Sequence, residues 1–363
     1  MTDLSRRTFV KTVGLGLAAL PATVSAAEFS APRASKTKLG IDNFSVRAFG
    51  WNAEELIDYA ASLKTDSLFI TDLKPFSSRA DDYLNGVRAR AADKGLQIQL
   101  GSWSICPTSK AFKSDWGTAE EHLTLGIRMA KALGSPVFRV ILGTGEDRKT
   151  PGGIEARIED TIKVLKSCSS KALDAGVKVA VENHAGDMQA FELASLVERA
   201  GKDYVGVNLD SGNAAWTLED PLESLEILGP YAVTTSLRDS AIWESADGAK
   251  VQWTAMGDGI IDWKKYFARF AELCPNVPVH IETISGGARE FPYLKKEFWT
   301  TFPNARGKDF ARFVALAKKG KPIEPFKIPA GQDRKQAEKD YQKSEIERSI
   351  KYCKEALGLG MRA

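Results

Sequence analysis

Histidine and cysteine are scarce in this chain, with three and four residues among 363. Cys106, Cys168, Cys274 and Cys353 lie far apart with no C-x-x-C pair. That excludes a zinc knuckle or a redox dithiol and leaves them as small buried hydrophobes. Charge of one sign is also lacking. Fifty Lys and Arg against 47 Asp and Glu give a formal +3, and Arg6, Arg7 and Lys11 against Asp3 contribute +2 of it. A chain processed near residue 26 is therefore close to neutral and has no electrostatic footprint for nucleic acid or an anionic membrane. No apolar run is long enough to span a bilayer. No glycine-rich phosphate turn follows the first strand, where the sequence reads Gly40-Ile41-Asp42-Asn43-Phe44, so a doubly wound nucleotide-binding sheet is disfavoured. With 43% hydrophobic and 27% charged residues, the chain has the make-up of one large globular domain.

The N-terminus carries Ser5-Arg6-Arg7-Thr8-Phe9-Val10-Lys11, an apolar stretch over residues 13–20, and small residues at Val24-Ser25-Ala26. Charged start, short apolar run and small-residue exit in that order predict a twin-arginine export signal over residues 1–26 and a periplasmic protein, tethered to the membrane if the signal stays uncleaved. An amphipathic helix with two chance arginines does not account for the order. Export of a folded protein suits a site loaded with its metal in the cytoplasm. Residues 27–38 read as a flexible lead-in.

From residue 39, short apolar β-rich runs alternate with amphipathic helical stretches. Eight strands are predicted, at 39–47, 67–72, 97–102, 137–142, 178–183, 205–210, 232–238 and 278–283. The helical period is clearest in Trp263, Tyr266, Phe267, Phe270 and Leu273, and stretches 54–63 and 154–175 follow it. Eight strand–helix pairs predict an α/β fold, a closed (β/α)8 TIM barrel over 39–318 with a C-terminal helical extension over 319–363. In that extension Ile346, Ile350, Cys353 and Leu357 share a helical face, to pack on the barrel or on a partner subunit of a homo-oligomer. Segment 286–304 holds Phe291, Tyr293, Phe298, Trp299 and Phe302. Following the eighth strand, it reads either as a lid or sugar-stacking platform over the site or as aromatics packed on the rim.

Catalytic groups of a parallel barrel project from the carboxyl ends of its strands. There the sequence places Glu182-Asn183-His184, Asp210-Ser211-Gly212-Asn213 and Ile281-Glu282-Thr283. Three acids converging on one mouth repel unless a cation neutralises them. Hard carboxylate oxygens suit a divalent ion such as Mg²⁺ or Mn²⁺. The competing reading is that each acid caps a helix or pairs with Arg or Lys.

Together with Met256-Gly257-Asp258-Gly259-Ile260-Ile261-Asp262-Trp263, these motifs resemble the sugar phosphate isomerase/epimerase group of the xylose isomerase-like barrels, over residues 39–316. The resemblance implies one divalent metal (Mn, Mg, Co or Zn) bound by Glu, Asp, His and Glu, the two glutamates also moving protons next to a sugar carbonyl. Glu182, Asp210 and Glu282 match three ligands, and Glu182 and Glu282 the catalytic pair. The family's His-x-Lys-Asp is here Ser236-Leu237-Arg238-Asp239, so the fourth ligand position holds Ser236, a poor ligand that Gln252 or His184 could replace.

Other residues have two readings. His184 shares the face of Glu182 and either donates to a substrate hydroxyl or fixes Glu182. Arg238 clamps the substrate or pairs with Asp210. Trp103 is a sugar platform or core. Asn213 and Gln252 are further substrate-binding candidates, and His280 reads as a buried structural group. The function expected is an exported isomerase, epimerase or keto-sugar lyase acting on an unphosphorylated sugar, sugar phosphates being scarce outside the cytoplasm. The alternative is a non-catalytic carbohydrate-binding protein on a degenerate isomerase barrel. A nuclease like the apurinic-site members of this fold is disfavoured by near-neutral charge and by having only His122, His184 and His280.

Overall fold

The computed structural model describes residues 37–362. The strands in chain order are β1 (Leu39–Asp42), β2 (Ser67–Ile70), β3 (Gln97–Ser104), β4 (Val137–Ile141), β5 (Lys178–Glu182), β6 (Val205–Leu209), β7 (Ala232–Thr235), β8 (Asp239–Ser245), β9 (Gly248–Thr254), β10 (Val279–Ile281) and β11 (Ala288–Phe291). Eight of them pair in parallel in the order β10-β1-β2-β3-β4-β5-β6-β7. The ring closes just past β7, where Leu237 N donates to His280 O (2.7 Å) and Glu282 N to Leu237 O (2.9 Å). This is a (β/α)8 TIM barrel. Its strands are covered on both faces, which is why they read as nearly unbroken apolar runs rather than alternating ones.

Several sequence expectations need correction. The first strand does not run to residue 47. Asp42 ends it by accepting from Phe44 N (2.9 Å), which starts a 3-10 helix over Asn43–Phe49. The helical stretch 154–175 is two helices, Gly153–Ser167 and Ser169–Ala175, broken at Cys168. β3 extends to Ser104, and β7 stops at Thr235. Unforeseen altogether is an antiparallel sheet, order β11-β9-β8, inserted after β7.

That sheet settles how segment 286–304 is used. Phe291 and Tyr293 are buried with Ile242, Val251 and Phe313 in a second apolar cluster, with Phe298 and Trp299 packed against it. The aromatics pack onto the rim, as one of the two readings held. Helix Gly307–Lys319 lies on this sheet. Helix Arg334–Glu355 instead lies on Asn43–Phe49 and buries Ile346, Ile350 and Cys353 in the main core. All four cysteines are buried and free.

The predicted signal, residues 1–26, and the lead-in through residue 36 lie outside the described residues. Among the described residues no helix is long and apolar enough to cross a membrane.

Candidate active site

β5, β6 and β10 deliver Glu182, Asp210 and Glu282 to one point at the carboxyl end of the barrel. One ligand oxygen from each lies within 4.8 Å of the others, and all three residues are buried. Asp210 ends β6 and caps helix Ser211–Trp216, its Oδ1 accepting from Gly212 N (2.8 Å) and Asn213 N (3.1 Å). Asn183 ties the two strand ends by donating to Asp210 O (2.8 Å) and accepting from Asp210 N (2.9 Å).

The acids are held by two guanidinium groups. Arg139, on β4, donates through Nε to Glu182 Oε2 (2.5 Å) and through Nη1 to Ser102 O (2.7 Å). Arg238 Nη2 bridges Asp210 Oδ2 and Glu282 Oε2, and its plane lies 4.4 Å over the Trp253 ring. Asn208 Nδ2 donates to Glu182 Oε2 (2.6 Å) and to Ser236 Oγ (3.2 Å). Ser236 Oγ in turn donates to Asp42 Oδ2 (3.1 Å). A fourth buried acid therefore joins the cluster from β1.

Burial pushes these acids up unevenly. Asp42 rises to about 6 and Asp210 to about 7, burial outweighing their arginine partners. Glu282 stands well above the usual range for the same reason. Burial works against the Glu182 carboxylate too, but Arg139 outweighs it and holds that group below its ordinary value. Four acids face two arginines, so with every acid ionised the cluster is two positive charges short. The remedy is either protons or a cation. The three converging carboxylates fit a divalent ion by charge and by hard oxygen chemistry. Ser236 does not complete a fourth ligand, because its hydroxyl is engaged by Asp42 and Asn208.

The sequence pattern described as Xylose isomerase-like TIM barrel matches residues 47–300, more than half of the chain. The chain belongs to this family. A curated relative, 3-oxo-isoapionate decarboxylase of Pectobacterium atrosepticum, is 21% identical over 231 residues, 60% of this chain and 76% of the relative. D-psicose 3-epimerase in the presence of D-fructose superposes with a TM-score of 0.58 at 15% identity, covering 88% of this chain and 99% of that one. The E. coli 3-keto-D-glucoside 4-epimerase superposes with a TM-score of 0.52 at 14% identity, covering 74% and 98%. At such identities the superpositions carry the fold. They agree with the family match in making the chain a xylose isomerase-like TIM barrel.

The other residues expected in this family's site divide into two groups. Those near the acids are Asn213, Arg238 and His184. Asn213 Nδ2 links Asp210 Oδ2 (2.7 Å) to Glu182 Oε1 (3.3 Å), so it positions the acids. His184 is hydrogen-bonded through Nδ1 to Gly143 O (2.7 Å) and not to Glu182, which leaves Nε2 open. Burial drops its pKa to about 4, so the ring is neutral, with the proton on Nδ1 and an acceptor at Nε2. Trp103 meets His184 edge to face at 5.3 Å, its indole N–H held by Ala111 O (2.8 Å).

The second group stands apart. Gln252 is buried on β9 in the added sheet, opposite Ala241 and Ala288, and no hydrogen bond joins it to the acids. His280 lies deeper, against Ser67 Oγ (2.9 Å) and Thr234 Oγ1 (3.4 Å), the structural role expected of it. Sequence reasoning missed Asp42, Arg139 and Asn208. The signal was available, since each is a polar residue in an apolar strand or at its end. Asp42 and Arg139 lie in the first half of the barrel, where no recognisable motif surrounded them, whereas Asn208 stands two residues before Asp210 on β6.

Proposed function

We propose that this chain is an exported carbohydrate-active enzyme that moves a proton at a carbon next to a carbonyl, as an isomerase, epimerase or keto-sugar lyase. The convergence of Glu182, Asp210 and Glu282 is the observation that carries it. Taking such a proton leaves an enediolate, whose charge a cation bound at these carboxylates would offset. Glu182 and Glu282 are the two groups able to accept and return the proton. A divalent cation, of the Mn²⁺, Mg²⁺, Co²⁺ or Zn²⁺ type, is held by Glu182, Asp210 and Glu282, and when bound supplies charge stabilisation at the substrate oxygen. His184 Nε2 accepts from a sugar hydroxyl, and Trp103 offers a ring face.

The export signal favours an unphosphorylated substrate. A sugar already carrying a ketone is the best fit, in keeping with the keto substrates named for the decarboxylase and the 4-epimerase. The test is to incubate the purified chain and Mn²⁺ with free sugars and 3-keto-glycosides in deuterated water. Deuterium uptake or product is expected, lost in Glu182→Gln and Glu282→Gln; absence from every substrate overturns the reading. Fractionation of cells expressing the full chain and its R6K/R7K variant checks export, which should fail in the variant.

The occupied hydroxyl of Ser236 favours a second reading, a carbohydrate-binding protein without catalysis. Metal content separates the two. A stoichiometric ion lost in Glu282→Ala supports the enzyme, and no ion in either protein supports the binder.

A further inference from the structure

A cavity of about 460 Å³ opens beside the site, within the size range of small-molecule pockets. Its walls come from loops at the carboxyl ends of the barrel strands: Gly145 after β4, Gly186 after β5, Trp216 after β6, and Phe291, Phe298 and Phe302 after β10. Active sites of TIM barrels are assembled from this set of loops. The wall nearest the acids is a stack. The Arg289 guanidinium lies 4.6 Å from the Trp216 ring. Trp216 stacks on Trp253 with centroids 4.0 Å apart and planes 11° from parallel. On the far side of Trp253 lies Arg238, the residue that bridges Asp210 and Glu282. Two indoles alone separate the cavity from the guanidinium that holds the catalytic carboxylates.

The cavity lining mixes cations with carboxylates, Arg148, Lys149, Arg289 and Lys295 with Glu290 and Glu297. Arg148 is spent on Glu192 and Lys295 on Asp247, whereas Arg289 has no ion pair or hydrogen bond among the described residues. The Trp216 indole N–H has no partner but is fully buried, so it does not open to the cavity. Aromatic rings beside the unspent Arg289 guanidinium match a sugar ring, with C–H groups on its face and oxygens at its edge.

We propose that this cavity is the subsite for the second ring of a glycoside, which makes the substrate a glycoside rather than a free monosaccharide. The inference rests on the carbohydrate activity proposed above and names its substrate class. The first ring then lies at Glu182 and Glu282, the second in the aromatic-lined cavity, with Arg289 donating to its oxygens.

The test uses unoxidised sugars, so that binding is read without turnover. The full chain is titrated with glucose, methyl glucoside and a panel of α- and β-linked glucose disaccharides, followed by calorimetry and tryptophan fluorescence. At least one disaccharide is expected to bind about tenfold more tightly than glucose. Arg289→Ala, an exposed change that leaves the core intact, should remove most of that advantage and leave glucose binding unchanged. Equal affinity for glucose and every disaccharide overturns the proposal, as does an unaltered preference in Arg289→Ala. Failure of the enzyme reading looks different: a retained disaccharide preference with no deuterium exchange on any keto-glycoside.

Discussion

A carboxylate buried as fully as Glu182 stays ionised because Arg139 and Asn208 face it, and the dependence runs both ways. Arg139 is itself 5% exposed, on β4 inside the barrel, and Glu182 is its carboxylate partner. Removing one member of such a pair strands the other in low dielectric, at a cost of about 3–5 kcal/mol. Arg139→Met should lower the unfolding free energy by that order in urea titrations. Adding Glu182→Gln to it should recover part of the loss, because the stranded charge is gone; no recovery would mean that Arg139 acts by packing alone. The histidines give a second check. Burial lowers His122 and His184 to about 4 and His280 to about 3. A histidine depressed in the folded state contributes stability that is complete above its unfolded value near 6.5. That contribution drains away as pH falls from there toward the folded values. Ring resonances of His122 and His280 should therefore not move between pH 8 and about 5 in NMR titrations, while stability declines over the lower part of that range.

At the scale of elements, the glycine-rich turn before helix Trp263–Leu273 shows how one side chain organises a loop. Asp239, the first residue of β8, accepts from Gly257 N and Gly259 N (both 3.1 Å) and from the Trp263 indole (2.7 Å) through Oδ2. Gly257 sits at φ +91° and Gly259 has no room for a Cβ, which would fall 2.1 Å from Asp239 Oδ1. Asp239→Ala frees several buried donors at once and should cost about 2–4 kcal/mol, with a red-shifted Trp263 emission as the loop opens to water. This element also marks what was legible in the sequence. The turn was readable as a motif because glycine and aspartate at fixed spacing have few structural explanations. Strands buried on both faces were equally readable as apolar runs, and so were the acids that interrupt them near their ends. The added sheet was not, because residues 239–254 alternate weakly and their partner β11 lies more than thirty residues on, a pairing that no local pattern encodes. Arg139 escaped notice because it is a charge in mid-strand, whose meaning appears only once β4 and β5 lie side by side. Gln252 was a candidate to replace Ser236 as a ligand, whereas β9 takes it into the other sheet, with no hydrogen bond to the acids.

Over the whole molecule, the segment that reads as an appendage closes the barrel. Helix Gly307–Lys319 follows β10 in sequence but packs on the added sheet, leaving β10 and the 3-10 helix Asn43–Phe49 to helix Arg334–Glu355. That helix is bound at both ends of the barrel. Near the mouth, Gln342 Oε1 accepts from Ala48 N (2.9 Å). At the base, Lys354 Nζ reaches Lys64 O (3.0 Å), Met361 N donates to Asp66 Oδ2 (2.8 Å) and Arg362 Nη1 to Thr65 O (2.9 Å). Between these ties, Ile346, Ile350, Cys353 and Leu359 join the main core. Burying two isoleucines and a leucine contributes roughly 5–8 kcal/mol, a large share of the 5–15 kcal/mol that holds a typical domain. A chain ended at residue 332 should accordingly lose cooperative thermal unfolding or aggregate. A chain ended at residue 358 keeps the helix and the Lys354 tie but gives up the Met361 and Arg362 ties and Leu359, so it should unfold cooperatively at a lower temperature. The same Tm for the full chain and the shorter truncation would show that the helix is an ornament on a barrel complete without it. Loss of folding in the first case and a modest shift in the second would make it the barrel's eighth outer helix, supplied from the end of the chain because the helix next in sequence has been drawn away to cover β8 and β9.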